Sequence, residues 1–172
     1  DPAVFYNGQR PDWEGKWIQP TAYKKRAVNN YRRAFALDAV PENACLYLAG
    51  IGYHKAYLNG QPVDTAVMDP AHTNYAHTVC NAVLPDVAAL LKTGENVLTV
   101  QVADGWRSND STVINSVLSG VRDVEFDGTP MLTAVLEWKD AAGTHRLVTD
   151  ESWQWKPDAI VAANIFDGET YD

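Results

Sequence analysis

Two loop regions of the sequence combine an aromatic side chain with amide, carboxylate and guanidinium groups. This set of residues suits sugar recognition, because the ring stacks on the C–H face of a pyranose while the polar groups hydrogen-bond its hydroxyls. One region follows a strand-like run, and the other follows an Asn-Gly pair. We predict a carbohydrate-binding rim that consists of Asn59, Asp69, Asn74, Tyr75, Asp104, Trp106 and Arg107.

An architectural role explains some of the same residues. Trp106 could be a core tryptophan that closes one end of the domain. A tight turn alone accounts for Asn59, since Asn tolerates a positive φ. His72 and His77 bracket part of the second loop and are best explained as solvated side chains. The sequence therefore leaves both a binding role and an architectural role open for the predicted rim.

Signatures of nucleophilic, phosphate-binding and zinc chemistry are absent from the sequence. It contains no G-x-S-x-G, G-x-x-x-x-G-K-[ST], G-x-G-x-x-G or H-E-x-x-H motif. A glycosidase needs two carboxylates placed across a cleft, and sequence alone cannot pair the acidic candidates, which are Asp104, Asp110, Asp150, Glu151 and Glu169. We predict no catalytic residue and no metal ligand, and the alternative is an enzyme that uses two loop carboxylates.

The composition is that of a folded, acidic domain. The 172 residues are 46% hydrophobic and carry a net charge of −8, which argues against nucleic acid and anionic membranes as partners. The chain begins at Asp1 without a signal-peptide pattern, so we expect it to be processed or cut from a longer protein. Cys45 and Cys80 are predicted to be small buried thiols, and they leave the cellular compartment open.

Short runs that favour β-structure alternate with turn residues along most of the chain. The Asn59-Gly60 pair predicts a tight hairpin, and Pro62 after it indicates an edge strand, because proline donates no ladder hydrogen bond. The predicted strands cover residues 31–37, 46–49, 53–58, 79–84, 97–103, 131–138, 145–148, 153–156 and 160–165.

One helix is predicted, over residues 85–92, where three apolar residues share one helical face. Residues 107–130 are interpreted as an insertion with an apolar patch at 113–121. Together these patterns predict an all-β protein, an antiparallel β-sandwich with one short helix. We assign residues 1–29 to an irregular N-terminal segment and 30–172 to a single sandwich domain.

Several segments resemble the N-terminal β-sandwich domain of bacterial α-L-rhamnosidases of glycoside hydrolase family 78. They occur in the same order as in that family and cover roughly residues 30–172. The segments are 31–35 (YRRAF), 46–53 (LYLAGIGY), 56–60 (AYLNG), 69–70 (DP), 73–75 (TNY), 94–97 (GENV), 105–106 (GW), 149–153 (TDESW) and 167–172 (DGETYD).

The resemblance implies a jelly-roll sandwich, similar to galactose-binding domains, excised from a larger enzyme. It implies that an (α/α)₆ barrel elsewhere in the parent protein carries the catalytic carboxylates. This chain would be a non-catalytic accessory module that supports the barrel, either in a purely structural role or also in contact with carbohydrate such as rhamnose-containing glycans. Alternatives are a sugar-binding domain of a β-galactosidase-like enzyme and a protein-interaction sandwich.

The resemblance also bears on cofactors. Related sandwich modules bind rhamnose together with calcium, so calcium is the one cofactor that the resemblance allows, and no resident cofactor is expected. Two residues depart from the pattern. Leu58 precedes Asn59 at a position where an acidic residue would help to hold a cation. Arg107 replaces the tyrosine that usually follows Gly-Trp.

Overall fold

The computed structural model describes residues 13–71, 73, 79–107 and 128–172. Its strands are β1 (Asn29–Leu37), β2 (Asn43–Ile51), β3 (Tyr53–Leu58), β4 (Gln61–Pro62), β5 (Asn81–Leu84), β6 (Gly94–Ala103), β7 (Met131–Asp140), β8 (Gly143–Val148), β9 (Gln154–Pro157), β10 (Ile160–Asn164) and β11 (Gly168–Tyr171). The predicted insertion at 107–130 and its apolar patch at 113–121 lie almost entirely outside these described residues.

The strands form two main antiparallel sheets. One has five strands in the order β4-β3-β6-β1-β9, and the other has four in the order β5-β2-β7-β8. A separate hairpin joins β10 to β11. Apolar residues of the two main sheets belong to one core cluster, so the sheets pack face to face. The prediction of an all-β antiparallel sandwich is confirmed.

Period-two alternation explains which face of each strand is buried. In β6, Leu98, Val100 and Val102 are fully buried, whereas Thr99 and Gln101 point to the opposite face. Burial of each such aliphatic side chain stabilises the fold by about 1.5–3 kcal/mol relative to exposure. The sheet therefore has an apolar inner face and a polar outer face.

The predicted hairpin is confirmed. Asn59 and Gly60 both have a positive φ, of 52° and 81°, as a tight turn between β3 and β4 requires. Pro62 lies in β4, at the edge of the five-stranded sheet, where its missing N–H interrupts no ladder.

The chain passes from one sheet to the other at Gly52. β2 lies in the four-stranded sheet and β3 in the five-stranded sheet, with one residue between them. Gly52 has a φ of 120°, and a Cβ atom there would lie 2.4 Å from the carbonyl oxygen of Ala103. Only glycine fits this crossing.

The predicted helix is shorter than expected and of a different type. Its described part is a single 3₁₀ turn, Val87–Leu90, rather than a helix over 85–92. Asp86 before it has a left-handed φ of 62°, and Leu91 after it is extended, so the backbone cannot continue the helix in either direction. No helix in the part of the chain that the structure describes is long and apolar enough to cross a membrane.

Two smaller predictions need correction. Cys45 is buried as expected, but Cys80 is only half-buried, and neither thiol is in a disulfide. Burial raises the pKa of the Cys45 thiol. Strand β11 was not among the predicted strands, because its sequence, GETY, is mostly polar, is exposed at all four residues and lacks the alternation that marks a half-buried strand.

Candidate functional site

Asp104 lies directly after β6 and is buried, with 2% of its surface exposed. Its Oδ2 atom accepts a hydrogen bond of 2.7 Å from the Tyr23 hydroxyl and another of 2.7 Å from the backbone N–H of Arg26. Arg26 has a positive φ of 69°, which the second bond helps to hold. The carboxylate therefore attaches the segment before β1 to the end of β6.

Trp106 is half-buried and connects β6 to the β10–β11 hairpin. Its ring meets Phe166 edge-on, with 5.9 Å between the ring centroids, a geometry in which aromatic pairs attract. Its side chain also hydrogen-bonds Tyr53. Burial raises the pKa of Tyr53, and the bond from Trp106 opposes that shift. This tryptophan therefore joins three elements at one end of the sandwich.

Arg107 continues the same turn. Its backbone N–H donates to the Asp104 carbonyl at 2.9 Å. Its guanidinium lies over Gly128, where an added Cβ would come within 2.4 Å of Nη2. The guanidinium Nε is buried and makes no hydrogen bond to the described residues. Arg107 thus packs its side chain against the chain just before β7.

Asp69 lies beside His54 at the same end of the sandwich. Its carbonyl accepts the backbone N–H of His54 at 2.7 Å, and its Oδ2 atom is 3.9 Å from His54 Nδ1. The His54 side chain is only 2% exposed. Burial lowers the pKa of His54, although the Asp69 carboxylate acts in the opposite direction.

Asn59 lies at the other end of β3. Because β3 has six residues, its two ends are about 17 Å apart. The Asn59 amide nitrogen donates to the Leu90 carbonyl at 2.9 Å and to Asn96 Oδ1 at 2.8 Å, and its oxygen accepts the N–H of Val97 at 3.0 Å. Its side chain is therefore part of a closed network.

The structure brings four of the predicted rim residues to one end of the sandwich: Asp69, Asp104, Trp106 and Arg107. Asn59 does not join them, and Asn74 and Tyr75 lie outside the described residues. Within the described ranges, no three His, Cys, Asp or Glu side chains are grouped closely enough to hold a metal ion. Carbohydrate binding at this rim stays a prediction.

A second polar surface was missed by the sequence analysis and lies on the outer face of the five-stranded sheet. Cross-strand neighbours there form two rows of polar side chains across β9, β1, β6 and β3. We call this surface the polar ladder. It consists of Lys156, Asn30, Gln101 and Lys55 in one row, and Gln154, Arg32, Thr99 and Tyr57 in the other.

Part of the polar ladder lines a groove of about 740 Å³ next to β9. Its lining consists of five ladder residues together with two tryptophans: Asn30, Arg32, Thr99, Gln154 and Lys156, with Trp153 and Trp155. Alternation within each strand predicts which residues point outward, but the strand order that brings four separate segments side by side is not readable from their local sequences.

A different groove, of about 470 Å³, lies between the loop before Asp69 and the β10–β11 hairpin. Its lining includes Tyr53, Val67, Met68 and Ile165. Val67 is 84% exposed and Met68 is 52% exposed, so this rim is apolar and open to solvent. Lys55 and Gln101 of the polar ladder also line this groove, so the polar and the apolar surface meet there.

Comparisons with known proteins give a consistent result. The family model described as the α-L-rhamnosidase N-terminal domain matches residues 39–172. An α-L-rhamnosidase of Formosa agariphila is 32% identical over 159 residues, which are 92% of this chain and 16% of that protein. One of Streptomyces avermitilis is 32% identical over 162 residues, which are 92% of this chain and 15% of that protein.

Solved structures show the same similarity. The native α-L-rhamnosidase of Aspergillus terreus superposes with a TM-score of 0.78 at 26% identity, over 92% of this chain and 18% of that one. A Pleurotus ostreatus lectin in complex with GalNAc superposes with a TM-score of 0.53 at 15% identity, over 87% of this chain and 37% of that one. The lectin shares the fold alone.

Proposed function

Because the chain belongs to the family of α-L-rhamnosidase N-terminal domains, we propose that it is a non-catalytic accessory module of an α-L-rhamnosidase. The observation that carries this proposal is the family match over residues 39–172. The chain spans only 15% to 18% of the length of the curated relatives that it matches. In this proposal the rest of the parent enzyme hydrolyses terminal α-L-rhamnosides.

The acidic residues of the described chain support a non-catalytic role. Glycoside hydrolysis needs two carboxyl groups about 5–9.5 Å apart across a substrate cleft. Asp104 is buried, and its Oδ2 atom accepts hydrogen bonds from the Tyr23 hydroxyl and the Arg26 N–H. Asp150 caps its own turn by accepting the N–H of Ser152 at 2.8 Å, and this side chain and backbone bonding lowers the pKa of Asp150. Both carboxylates have architectural partners.

The partner that we propose for this module is the catalytic (α/α)₆ barrel of the parent chain. Exposed apolar groups on one rim, Val67, Met68 and Phe166, favour such a contact, because contiguous apolar surface of this kind marks sites of protein association. Carbohydrate contact at Asp69, Trp106 and Arg107, with or without calcium, is the second part of the proposal.

The non-catalytic role is tested by assaying the 172-residue chain on 4-nitrophenyl α-L-rhamnoside. We expect no turnover above the uncatalysed rate from the chain and turnover from the full parent enzyme. Turnover by the chain that disappears in Asp150→Asn or Glu169→Gln would contradict the proposal.

The carbohydrate part is tested by calorimetric titration of the chain with L-rhamnose, with and without calcium. Binding that is lost in Trp106→Ala and retained in Trp17→Ala would support the predicted rim. Trp17 is a suitable control because it is 43% exposed and belongs to the segment that pairs with β7. If millimolar rhamnose produces no heat of binding, the architectural role is the only one that remains for the module.

A further inference from the structure

We propose that the polar ladder binds an acidic oligosaccharide that contains rhamnose. The acidic character follows from the side chains of the ladder, while the rhamnose component rests on the proposed function. This site lies on the outer face of the five-stranded sheet, and two of its members, Lys55 and Gln101, also line the apolar groove beside Gly105. It adds a ligand class, sugars bearing carboxylate groups, to the accessory role.

The ladder has the dimensions of an oligosaccharide site. Each row crosses four strands, which at about 4.8 Å per strand gives a length of about 14 Å. The two rows are two residues apart along each strand, or about 7 Å. The surface is therefore long enough to contact more than one pyranose ring.

Hydrogen bonds within the ladder hold its amide groups in position. Asp158 Oδ2 accepts the side-chain amides of Asn30 and of Gln101, the latter at 3.0 Å. Gln101 Oε1 accepts the Tyr57 hydroxyl at 3.1 Å, and Gln154 Oε1 lies 3.4 Å from Arg32 Nη1. Groups that are already ordered lose less conformational entropy when a ligand binds.

Asp158 is ionised in this arrangement. Burial acts to raise its pKa, but hydrogen bonds from Ile160, Asn30 and Gln101 outweigh that effect and hold the pKa below its usual value. The carboxylate is thus an acceptor that orients both amides.

The charge of the ladder is opposite to that of the whole chain. Arg32, Lys55 and Lys156 are exposed cations, and Asp158 is the carboxylate that bonds to the ladder amides. The chain as a whole carries a net charge of −8. Carboxylates accept strong charge-assisted hydrogen bonds from Arg and Lys, so an acidic sugar gains attraction that a neutral sugar lacks.

The chemistry of the ladder favours a sugar over an acidic protein surface. Protein interfaces have an apolar core enriched in aromatic residues and Met. Tyr57 is the one aromatic member of the ladder, and its other members are amides, a hydroxyl and cations. Trp153 and Trp155 also line the groove beside β9, and aromatic rings of this kind stack on the C–H faces of sugars. Amide and guanidinium groups side by side on one sheet face match the hydroxyl and carboxylate groups of an oligosaccharide.

Calorimetric titration of the 172-residue chain tests this site. The probe is a rhamnogalacturonan backbone oligosaccharide, in which rhamnose alternates with galacturonate, and its carboxyl-reduced form is the neutral control. We expect the acidic oligosaccharide to bind and the reduced form to bind at least about tenfold more weakly. Added sodium chloride should weaken the acidic complex, because salt screens exposed charges.

Matched variants separate a specific site from general attraction. Lys55→Gln removes a cation from the ladder, and Lys139→Gln removes an exposed cation from the other sheet. We expect a several-fold loss of affinity in Lys55→Gln and in Arg32→Gln, and no change in Lys139→Gln. Each variant should show the urea midpoint of the unmodified chain.

Three results would overturn the proposal: no binding of the acidic oligosaccharide, equal binding of its reduced form, or equal losses in Lys55→Gln and Lys139→Gln. These results differ from failure of the accessory role, which is turnover of a rhamnoside by the chain itself. Binding without turnover supports both proposals.

Discussion

The ends of the strands and the outer face of the five-stranded sheet carry the same types of polar residue, but they use them differently. At the strand ends, Asn59, Asn96 and Asp104 bond to the backbone or side chains of other segments. On the outer face, Asn30 and Gln101 bond within one surface that remains open to solvent. Position relative to the sheet, rather than residue type, decides whether a polar group is available to a ligand.

The backbone explains this difference. Within a strand, the backbone N–H and C=O groups pair with those of the neighbouring strands. Outward-facing side chains are therefore not needed as hydrogen-bond partners for the backbone. Where a strand ends, those groups need other partners, and Asn and Asp side chains supply them. Changes at the strand ends should therefore affect stability, and changes on the polar ladder should affect binding.

The largest effect is expected for Asp104→Ala. The substitution leaves the Tyr23 hydroxyl and the Arg26 N–H without their 2.7 Å acceptor in a buried place. We expect the free energy of unfolding to fall by about 3 kcal/mol, measured by urea denaturation. Asp38→Ala, at an exposed bend, is the control and should change it by less than about 0.5 kcal/mol. Equal losses of stability in Asp104→Ala and Asp38→Ala would contradict the special role of carboxylates at strand ends.

A somewhat smaller loss is expected for Asn96→Ala. Asn96 is fully buried; it donates to the carbonyls of Lys92 and Gly94 and accepts from Lys92 and Asn59. We expect a loss of about 2 kcal/mol in the free energy of unfolding. Gln101→Ala, on the ladder, should cost about 0.5 kcal/mol. A larger cost at Gln101 than at Asn96 would contradict the comparison.

The next comparison is between two neighbours in β3 and concerns the pH dependence of stability. His54 faces the core, and Lys55 faces solvent. The pKa of His54 is lowered by burial, so the unfolded chain binds the proton more readily. Stability should therefore fall as the pH drops below about 6.5, with a slope of at most about 1.4 kcal/mol per pH unit.

Urea titrations at pH 7 and pH 5 measure this slope. His54→Gln should reduce the loss of stability between the two pH values, and Lys55→Gln, on the outward side of the same strand, should leave that loss unchanged. An unchanged slope in His54→Gln would show that the buried imidazole is not the group responsible.

The smallest effect is expected for Tyr31→Phe, and it has the opposite sign. Tyr31 is 1% exposed on the inner face of β1, and its hydroxyl has no hydrogen-bond partner among the described residues. Removing an unsatisfied buried hydroxyl should leave the free energy of unfolding unchanged or raise it by up to about 1 kcal/mol. A loss above 1 kcal/mol would reveal a partner for the hydroxyl.

Local sequence predicted the strands and the hairpin because these depend on nearby residues. Alternation in 97–103 and the Asn59-Gly60 pair both act over a few residues, and both predictions are confirmed. The helix prediction was wrong in type and length because the left-handed Asp86 and the two hydrogen bonds between Asn96 and Lys92 override the apolar spacing.

The candidate site was less predictable than the fold. Asn59 and Trp106 come from loops of similar composition, yet the direction of β3 and β6 places them at opposite ends of the sheet. The polar ladder needs the register between β9, β1, β6 and β3, which joins segments more than a hundred residues apart. Nothing in the sequence around Arg32 or around Gln154 indicates that these two residues are cross-strand neighbours.

The most direct measurement is a ¹⁵N–¹H nuclear magnetic resonance titration of the chain with the rhamnogalacturonan oligosaccharide. If the outer face holds the available polar groups, the side-chain amide signals of Asn30, Gln101 and Gln154 shift together, and the indole signal of Trp106 does not. Shifts confined to the Trp106 indole and the backbone of Arg107, with the ladder amides unmoved, would contradict this conclusion and place the ligand at the rim.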